Sequence, residues 1–192
     1  TPPDRLHLLP PGIARDRLAT PEAAAIGAKL RTELKIPPHH RVILMVGSGF
    51  RTKGVDRTLR AVAALPPPLR ERATLVIIGH DNFRPFQRLA RRLGVTPQLI
   101  FFHGRPDIPR FLFAADLLVH PAYRETTGTV LVEALAAGLP VLASDVCGFS
   151  DHVARSGGGR LVPSPFQQAI FNRMVADMLA SPLRREWGRR GI

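Results

Sequence analysis

The chain has few of the residues that mark several common classes of protein. A single cysteine, Cys147, stands among its 192 residues, so no internal disulfide framework can form. Only 6% of the residues are aromatic, and they do not alternate with basic residues as they do on single-stranded nucleic-acid platforms. No apolar run approaches the ~20 residues that a transmembrane helix needs. The sequence therefore indicates a globular domain, and its 45% of hydrophobic residues suffices for an ordinary core.

Negative charge is also scarce. The chain has 27 lysines and arginines against 15 acidic residues, which gives a formal net charge of +12. Nearly all of the excess is arginine, whose planar guanidinium suits phosphate oxygens. Such a charge fits a phosphorylated substrate, an anionic membrane surface or a nucleic acid, and it also fits a merely solvated basic face. Because the aromatic residues are so few, we expect no nucleic-acid partner.

Familiar metal-binding and nucleotide-binding spacings are missing as well. The histidines show no H-x-x-x-H spacing, and no Asp-x-Asp occurs, so no metal site is predicted. The segment Gly47-Ser48-Gly49 is not a phosphate loop of the Walker type, and no G-x-G-x-x-G motif occurs. Protein cations and helix amides would therefore have to neutralise any anionic leaving group.

Short apolar segments alternate with helical segments along most of the chain. The pattern predicts right-handed βαβ units, and hence a Rossmann-like parallel sheet of about six strands with helices on both faces. Residues 1–19, which are rich in proline, are predicted to be a connector that precedes a domain at 20–192. Strands are predicted at 42–46, 75–78, 99–102, 117–119, 141–143 and 160–162. Helices are predicted at 20–35 (with Thr20 as its cap), 55–65, 83–93, 108–114, 130–137 and 167–179.

The stretch from Glu125 to Pro140 carries the most chemical information. Glu133 lies in the apolar run 130–137, which Gly138 can end in a left-handed cap. A helix that is apolar nearly all round is buried, and a buried carboxylate needs donors. Glu133 could pair with a core arginine or a backbone amide. Alternatively, it could accept hydrogen bonds from two hydroxyl groups of a ligand such as a ribose.

The residues before this helix suit an anionic ligand. The segment Thr126-Thr127-Gly128-Thr129 stands where the helix would begin, and free amides at a helix start favour phosphate. Glu125 lies just outside and could face a second polyhydroxylated group. Lys53 precedes another predicted helix, a position where a cation is unfavourable unless an anion binds there.

Glu125 and Glu133, with their neighbours, resemble the Glu-x7-Glu signature of the retaining family 4 glycosyltransferases. These enzymes use nucleotide-sugar donors and have the two-domain GT-B fold. Further segments, such as Lys53-Gly54-Val55-Asp56 and Val146-Cys147-Gly148-Phe149, are similar to the lipopolysaccharide core glucosyltransferases of that family. The resemblance covers roughly residues 5 to 187. It corresponds to the C-terminal, donor-binding half, so the N-terminal acceptor domain is expected to be absent from this chain.

The resemblance implies a role for each candidate residue. Lys53 and Arg17 would neutralise the diphosphate, Glu133 would hold the ribose, and Glu125 would hold the sugar. The other donor-binding candidates are Gly47, Ser48, Thr126, Thr127, Gly128, Thr129 and Arg105. Ser48 stands where many members have an arginine, so the second cation is open between Arg17 and Arg51, and Arg17 could be a plain linker residue. Arg105 could flank the base or form a surface ion pair, and Tyr123 could pack on the sugar or on the sheet edge.

The resemblance also implies a reaction. UDP-glucose would be the donor, without a metal or a resident cofactor, and a heptose of the lipopolysaccharide inner core would be the acceptor. The enzyme would be cytoplasmic and peripheral on the inner membrane face, and the N-terminal half of the parent enzyme would be this chain's partner. Three alternatives stay open: another hexosyltransferase of the family, a nucleotide-sugar epimerase of the same fold, and a non-catalytic module that binds nucleotide sugars or an anionic membrane.

Overall fold

A computed structural model describes residues 12–192 and shows a six-stranded sheet in which every pairing is parallel. The strands lie in the order β3-β2-β1-β4-β5-β6. The chain therefore winds outward in both directions from β1 and β4, and a crevice opens between these two strands at their carboxyl ends. The strands are β1 (Arg41–Val46), β2 (Ala73–Ile78), β3 (Leu99–Phe102), β4 (Leu117–His120), β5 (Val141–Ser144) and β6 (Gly159–Val162).

Helices connect the strands and flank the sheet. They are α1 (Ala23–Glu33), α2 (Val55–Ala63), α3 (Pro67–Arg70), α4 (Arg84–Leu93), α5 (Ile108–Ala114), α6 (Thr129–Ala136), α7 (Ser150–Ser156), α8 (Gln168–Ala180) and α9 (Arg184–Gly191). Two short 3₁₀ turns, Arg15–Arg17 and Thr96–Gln98, precede α1 and β3. None of the helices within residues 12–192 combines the length and the apolar character needed to cross a membrane.

The sheet is covered on both faces, as the sequence predicts. On β1, Ile43 and Met45 face one buried cluster, which includes Leu59 of α2 and Met178 of α8. Leu44, their neighbour, faces the other cluster, which includes residues of α1, α5 and α6. Burial on both faces explains why the strands are continuous apolar runs rather than alternating ones.

The six predicted strands are confirmed, and the predicted start of the first helix is wrong. Helix α1 begins at Ala23 with Glu22 in the capping position, and no side chain caps it. Thr20 instead accepts a hydrogen bond from the backbone N–H of Ala23 through its own carbonyl, at 3.0 Å, so a turn occupies the positions assigned to the first helical residues.

Three helices, α3, α7 and α9, are absent from the sequence prediction. Helix α9 contains four arginines and two glycines, so it shows no apolar periodicity. Its glycines are nevertheless what allows it to pack. A Cβ on Gly188 would lie 2.3 Å from the carbonyl oxygen of Gly138, and a Cβ on Gly191 would lie 3.1 Å from Leu135. Close approach to α6 thus holds a helix that periodicity cannot reveal.

Candidate active site

The carboxyl ends of β1 and β4 meet the start of α6 around a cavity of about 310 Å³. The predicted residues Gly47, Ser48, Lys53, Glu125 and Thr127–Thr129 all line it. Val46, His120 and Val130 complete the lining. The fold therefore brings three separate segments of the candidate site together at the switch point of the sheet, where doubly wound folds bind ligands.

Glu125 is the most densely bonded side chain of this cavity. Its Oε2 accepts hydrogen bonds from the Lys53 ammonium and, at 3.0 Å, from Nε2 of His120. Its Oε1 lies 3.4 Å from the backbone nitrogen of Thr127, which donates to it. The side chain is only 10% exposed. The hydrogen bond from His120, with that from Lys53, lowers the pKa of Glu125 to about 2, so the carboxylate is ionised at neutral pH.

His120 is the site residue that sequence reasoning missed. It is the last residue of β4, it is buried, and an ionised carboxylate can only accept, so Nε2 of His120 carries the proton toward Glu125. In the sequence, His120 stands directly after the strand predicted at 117–119, and that position alone assigns it no role in the site. Its position five residues before Glu125 is visible in the sequence, but the bend of the chain between them is not.

Backbone contacts fix Lys53 beside the loop that follows β4. Gly54 has φ of 77°, and a Cβ there would lie 2.1 Å from the carbonyl oxygen of Pro121, so only glycine fits. The backbone N–H of Tyr123 also donates to the carbonyl oxygen of Thr52, at 2.8 Å. The start of α2 and the loop after β4 are thus held in contact, and this contact places Lys53 against Glu125.

Arg57 also links α2 to the loop that follows β4. Its guanidinium donates to the carbonyl oxygens of Pro121 and Ala122, at 3.0 and 3.1 Å. The guanidinium lies between two aromatic rings, 3.5 Å from the centroid of Tyr123 and 3.6 Å from that of Phe166. Tyr123 therefore packs on Arg57 and leaves part of its ring exposed, while its hydroxyl donates to Asp56 at 2.9 Å.

The start of α6 offers backbone donors to the cavity. Gly128, in the capping position, has φ of 80°, and no side chain caps the first turn. The preceding loop packs on the segment after β5. Thr127 accepts a hydrogen bond from the backbone N–H of Phe149 at 2.8 Å, and a Cβ on Gly148 would lie 2.0 Å from the carbonyl oxygen of Thr126. A helix start of this kind favours an anion.

Glu133 and Arg17 form an ion pair at the edge of α6. Nε of Arg17 donates to Oε1 of Glu133 at 3.3 Å, and Nη1 of Arg17 lies 2.5 Å from Oδ1 of Asp16. The hydrogen bond that Arg17 donates to Asp16 is the main cause of the raised pKa of Arg17. The expectation that Glu133 is buried is wrong, since its side chain is 20% exposed. The buried face of α6 consists of Leu131, Val132, Ala134 and Leu135, and Glu133 lies beside it.

Arg17 itself is held in place rather than extended along a free connector. It ends the 3₁₀ turn Arg15–Arg17, and the next segment is anchored to α6 by the backbone N–H of Ala19, which donates to the carbonyl oxygen of Ala136 at 2.8 Å. Residues 1–11 of the predicted connector lie outside the described part of the chain.

Two other candidates lie apart from this cavity. Arg105 follows β3 and forms a two-pronged ion pair with Asp107, with N–O distances of 2.7 and 3.0 Å. This pair raises the pKa of Arg105 and lowers that of Asp107. Thr126 lines an adjoining cavity of about 550 Å³, which also includes Lys53 and Glu125.

Neither a reactive thiol nor a metal centre is part of the described site. Cys147 is buried, and burial raises the pKa of its thiol to about 11, so it is a small core residue rather than a nucleophile. Within residues 12–192, no group of three histidine, cysteine or acidic side chains has the arrangement to hold a metal ion.

Comparison with known proteins gives one consistent result. Residues 28–192 match the family model described as glycosyl transferases group 1. The lipopolysaccharide glucosyltransferase WaaG of Escherichia coli (strain K12) is 42% identical over 188 residues, which cover 97% of this chain and 50% of WaaG. A D-inositol 3-phosphate glycosyltransferase of Corynebacterium aurimucosum is 35% identical over 198 residues, which cover 99% of this chain and 47% of that relative.

Solved structures agree with the sequence comparison. The crystal structure of WaaG, a glycosyltransferase involved in lipopolysaccharide biosynthesis, has a TM-score of 0.93 at 41% identity and is matched over 100% of this chain and 52% of WaaG. A sucrose-phosphate synthase from Thermosynechococcus elongatus has a TM-score of 0.79 at 26% identity, over 96% of this chain and 46% of the synthase. The chain therefore spans about half the length of the relatives it matches.

Proposed function

Because this chain belongs to the glycosyl transferases group 1 family, we propose that it is the C-terminal, donor-binding half of a retaining glycosyltransferase. The donor is UDP-glucose, and the acceptor is a heptose of the lipopolysaccharide inner core. The identity of 42% to a lipopolysaccharide glucosyltransferase supports this choice of reaction. The whole enzyme acts at the cytoplasmic face of the inner membrane as a peripheral protein, and its N-terminal half supplies the groups that hold the acceptor.

One observation carries the proposal: Gly47, Ser48, Lys53, Glu125 and the start of α6 meet around a single cavity. A cation, an acidic acceptor of hydroxyl hydrogens and unpaired helix amides are the groups that a nucleoside diphosphate sugar requires. They converge at the crevice between β1 and β4, although β1 and α6 are far apart in the sequence.

Lys53 and the amides of α6 bind the diphosphate and stabilise it as the leaving group. An ammonium has three N–H donors, and since Glu125 takes one of them, the others are free for phosphate oxygens. Positive charge held in place near the breaking bond lowers the barrier without a metal ion. Glu125, which stays ionised, accepts hydrogen bonds from hydroxyl groups of the glucose.

Glu133 binds the ribose, and Arg17 adds a second cation. Glu133 lies four residues after Thr129, which is one helical turn of about 6 Å, on the same face of α6 as the residues that line the cavity. A ribose joined to a diphosphate at the helix start would reach this point. Arg17 is in contact with Glu133 and can reach the same nucleotide. Arg105, on the loop after β3, flanks the base.

The test is binding of UDP by this chain, measured by calorimetry and by thermal unfolding with and without magnesium. We expect UDP to raise the melting temperature by mass action, equally in magnesium and in chelator. UDP-glucose should stabilise the chain more than UDP-galactose or GDP-mannose. Absence of both heat and stabilisation at millimolar UDP would refute the donor-binding assignment.

A further inference from the structure

A second cavity, of about 600 Å³, lies beside the candidate active site. Part of its lining is apolar and is formed on α4 by Pro85, Phe86 and Leu89. Three arginines, Arg51, Arg92 and Arg124, line it as well. We call this cavity the arginine groove. It has the size of a small-molecule site and is larger than an isolated phosphate requires.

The three arginines of the groove form no ion pair with a carboxylate of the described residues. All three are exposed. Other arginines of this chain, such as Arg31 and Arg110, do have carboxylate partners. Three unpaired positive charges that line one cavity favour the binding of an anion in it.

The same groove contains one incompletely bonded carboxylate. Asp56 lines it and accepts the hydroxyl hydrogen of Tyr123 on Oδ2, whereas its Oδ1 is buried without a hydrogen-bond partner. A buried oxygen without a donor is uncommon, and because Oδ1 is shielded from solvent it is also shielded from a ligand in the groove. The groove thus combines three cations for an anion with the apolar residues of α4.

The arginine groove is continuous with the reaction centre. Thr52, Tyr123 and Arg124 line both the groove and the adjoining cavity that contains Lys53 and Glu125. A ligand seated in the groove therefore extends toward the place where the sugar of the donor would lie, which is the place from which a sugar acceptor must approach.

We propose that the arginine groove binds an anionic saccharide, namely the phosphate- or carboxylate-bearing part of the sugar acceptor. This inference rests on the proposed function. The guanidinium groups bind the anion, and the surface of Phe86 and Leu89 contacts the C–H face of a sugar ring. The donor-binding half of the enzyme thereby selects acceptors by their charge, in addition to whatever the N-terminal half contributes.

The experiment titrates this chain, saturated with UDP, with glucose 6-phosphate as the probe. Glucose and inorganic phosphate serve as comparators, and saturating UDP keeps the probe out of the donor site. We expect glucose 6-phosphate to bind more tightly than either comparator. Arg92→Ala should weaken its binding about tenfold, as expected for loss of a charge-assisted hydrogen bond.

Arg88→Ala is the matched control, because Arg88 is exposed on the same helix one turn away and does not line the groove. It should leave the affinity for glucose 6-phosphate unchanged, and both variants should bind UDP as the unmodified chain does. Equal losses in the two variants, or no preference for glucose 6-phosphate over glucose, would overturn the proposal.

A second arm identifies the source of the anion. Phosphatidylglycerol vesicles are pelleted with the unmodified chain and with both variants. If Arg92→Ala reduces pelleting while glucose 6-phosphate does not bind, the groove is a site for lipid headgroups and the saccharide proposal is wrong. Failure of UDP binding would refute the donor-binding function, whereas normal UDP binding without binding of the sugar phosphate would refute only this inference.

Discussion

The carboxylate of Glu125 accepts hydrogen bonds from two residues that belong to different strand ends. Lys53 follows β1 and His120 ends β4, and both donate to the same oxygen. The carboxylate therefore fixes the junction of the two strands as well as facing the cavity. Its low pKa makes this contribution to stability depend on pH in a direction that can be calculated.

The first prediction concerns Glu125→Gln and acid. The pKa of Glu125 falls from an ordinary 4.5 to about 2 in the folded chain. Its ionised form therefore stabilises the fold fully above about pH 5, and this stabilisation is lost as the pH falls through about 2. We expect the free energy of unfolding of the unmodified chain to fall by about 3 kcal/mol more than that of the variant across this range. Urea unfolding at several pH values measures it.

The control for this prediction is Glu71→Gln, since Glu71 is exposed and lies away from the cavity. This variant should keep the acid-dependent loss of the unmodified chain. At pH 7, Glu125→Gln should also be the less stable of the two variants, because Lys53 loses its counter-ion. If the free energy of unfolding fell equally with pH in the unmodified chain and in Glu125→Gln, the carboxylate would not stabilise the junction.

The second prediction separates phosphate binding from structure at Lys53. Lys53→Ala should weaken the binding of UDP by roughly ten- to a hundredfold, because a charge-assisted contact contributes roughly 1.5–3 kcal/mol. Uridine, which has no phosphate, should lose little affinity. Isothermal titration with both ligands measures the difference. Lys29→Ala, a change at an exposed lysine of α1, should affect neither ligand. Equal losses for UDP and uridine would indicate a structural role for Lys53.

The third prediction tests the ribose assignment of Glu133. Glu133→Gln should lower UDP affinity by roughly 1.5–3 kcal/mol and reduce discrimination against 2′-deoxy-UDP. The melting temperature without ligand should change little, because the pair with Arg17 is partly exposed and such pairs contribute about 0–1 kcal/mol. Titration with both nucleotides and a thermal melt provide the measurements. The assignment would be contradicted if Glu133→Gln lost much of its stability and yet still preferred UDP over 2′-deoxy-UDP as strongly as the unmodified chain does.

A glycine in the interior of helix α1 allows this helix to pack closely against α5. A Cβ on Gly27 would lie 2.3 Å from the carbonyl oxygen of Phe113 in α5, so the two helices are in contact through their backbones. Intrinsic helix propensity favours alanine over glycine by roughly 0.5–1 kcal/mol, which would predict a stabilising substitution. The close approach predicts the opposite sign, because backbone atoms cannot move aside as a side chain does.

The fourth prediction is therefore that Gly27→Ala lowers the free energy of unfolding by roughly 1–3 kcal/mol, the usual range for overpacking. Urea denaturation measures it. Gly12→Ala is the control, since a Cβ on Gly12 would meet nothing within 4 Å. An increase in stability for Gly27→Ala would mean that α1 can shift away from α5 at no cost.

For the molecule as a whole, the cavity proposed to bind the donor lies within this chain, whereas the chain spans about half the length of WaaG. In the proposed function, the N-terminal half supplies the groups that hold the acceptor. Binding of the donor and transfer of the sugar should therefore be separable in experiments.

The fifth prediction is that this chain binds UDP-glucose but transfers no glucose to a lipopolysaccharide core acceptor. Adding the N-terminal half as a separate polypeptide should restore transfer if the halves associate. A radiolabelled glucose assay measures it, with full-length WaaG as the positive control. Transfer by this chain alone would show that the catalytic groups have been assigned to the wrong half.

Local patterns in the sequence suffice to place the strands and to predict the class of fold. Strand and helix patterns depend on the local spacing of apolar residues, so the strands from β1 to β6 could be placed within a few residues. The left-handed glycine after α6, Gly138, with φ of 72°, was also predictable, because its chemistry is local. The Glu-x7-Glu spacing and Lys53 resemble the glycosyltransferase signature, and that resemblance implies a nucleotide-sugar site without any knowledge of their contacts.

Which of these residues are in contact depends on the packing of the whole fold. Lys53 and Glu125 are 72 positions apart, and Arg17 and Glu133 are 116 apart. Their pairing follows from the strand order, which makes β1 and β4 neighbours, and from the docking of the 3₁₀ turn on α6. The contact of Arg57 with Tyr123 and Phe166 arises in the same way. Side-chain partners depend on how distant segments pack, and local spacing contains no information about that packing.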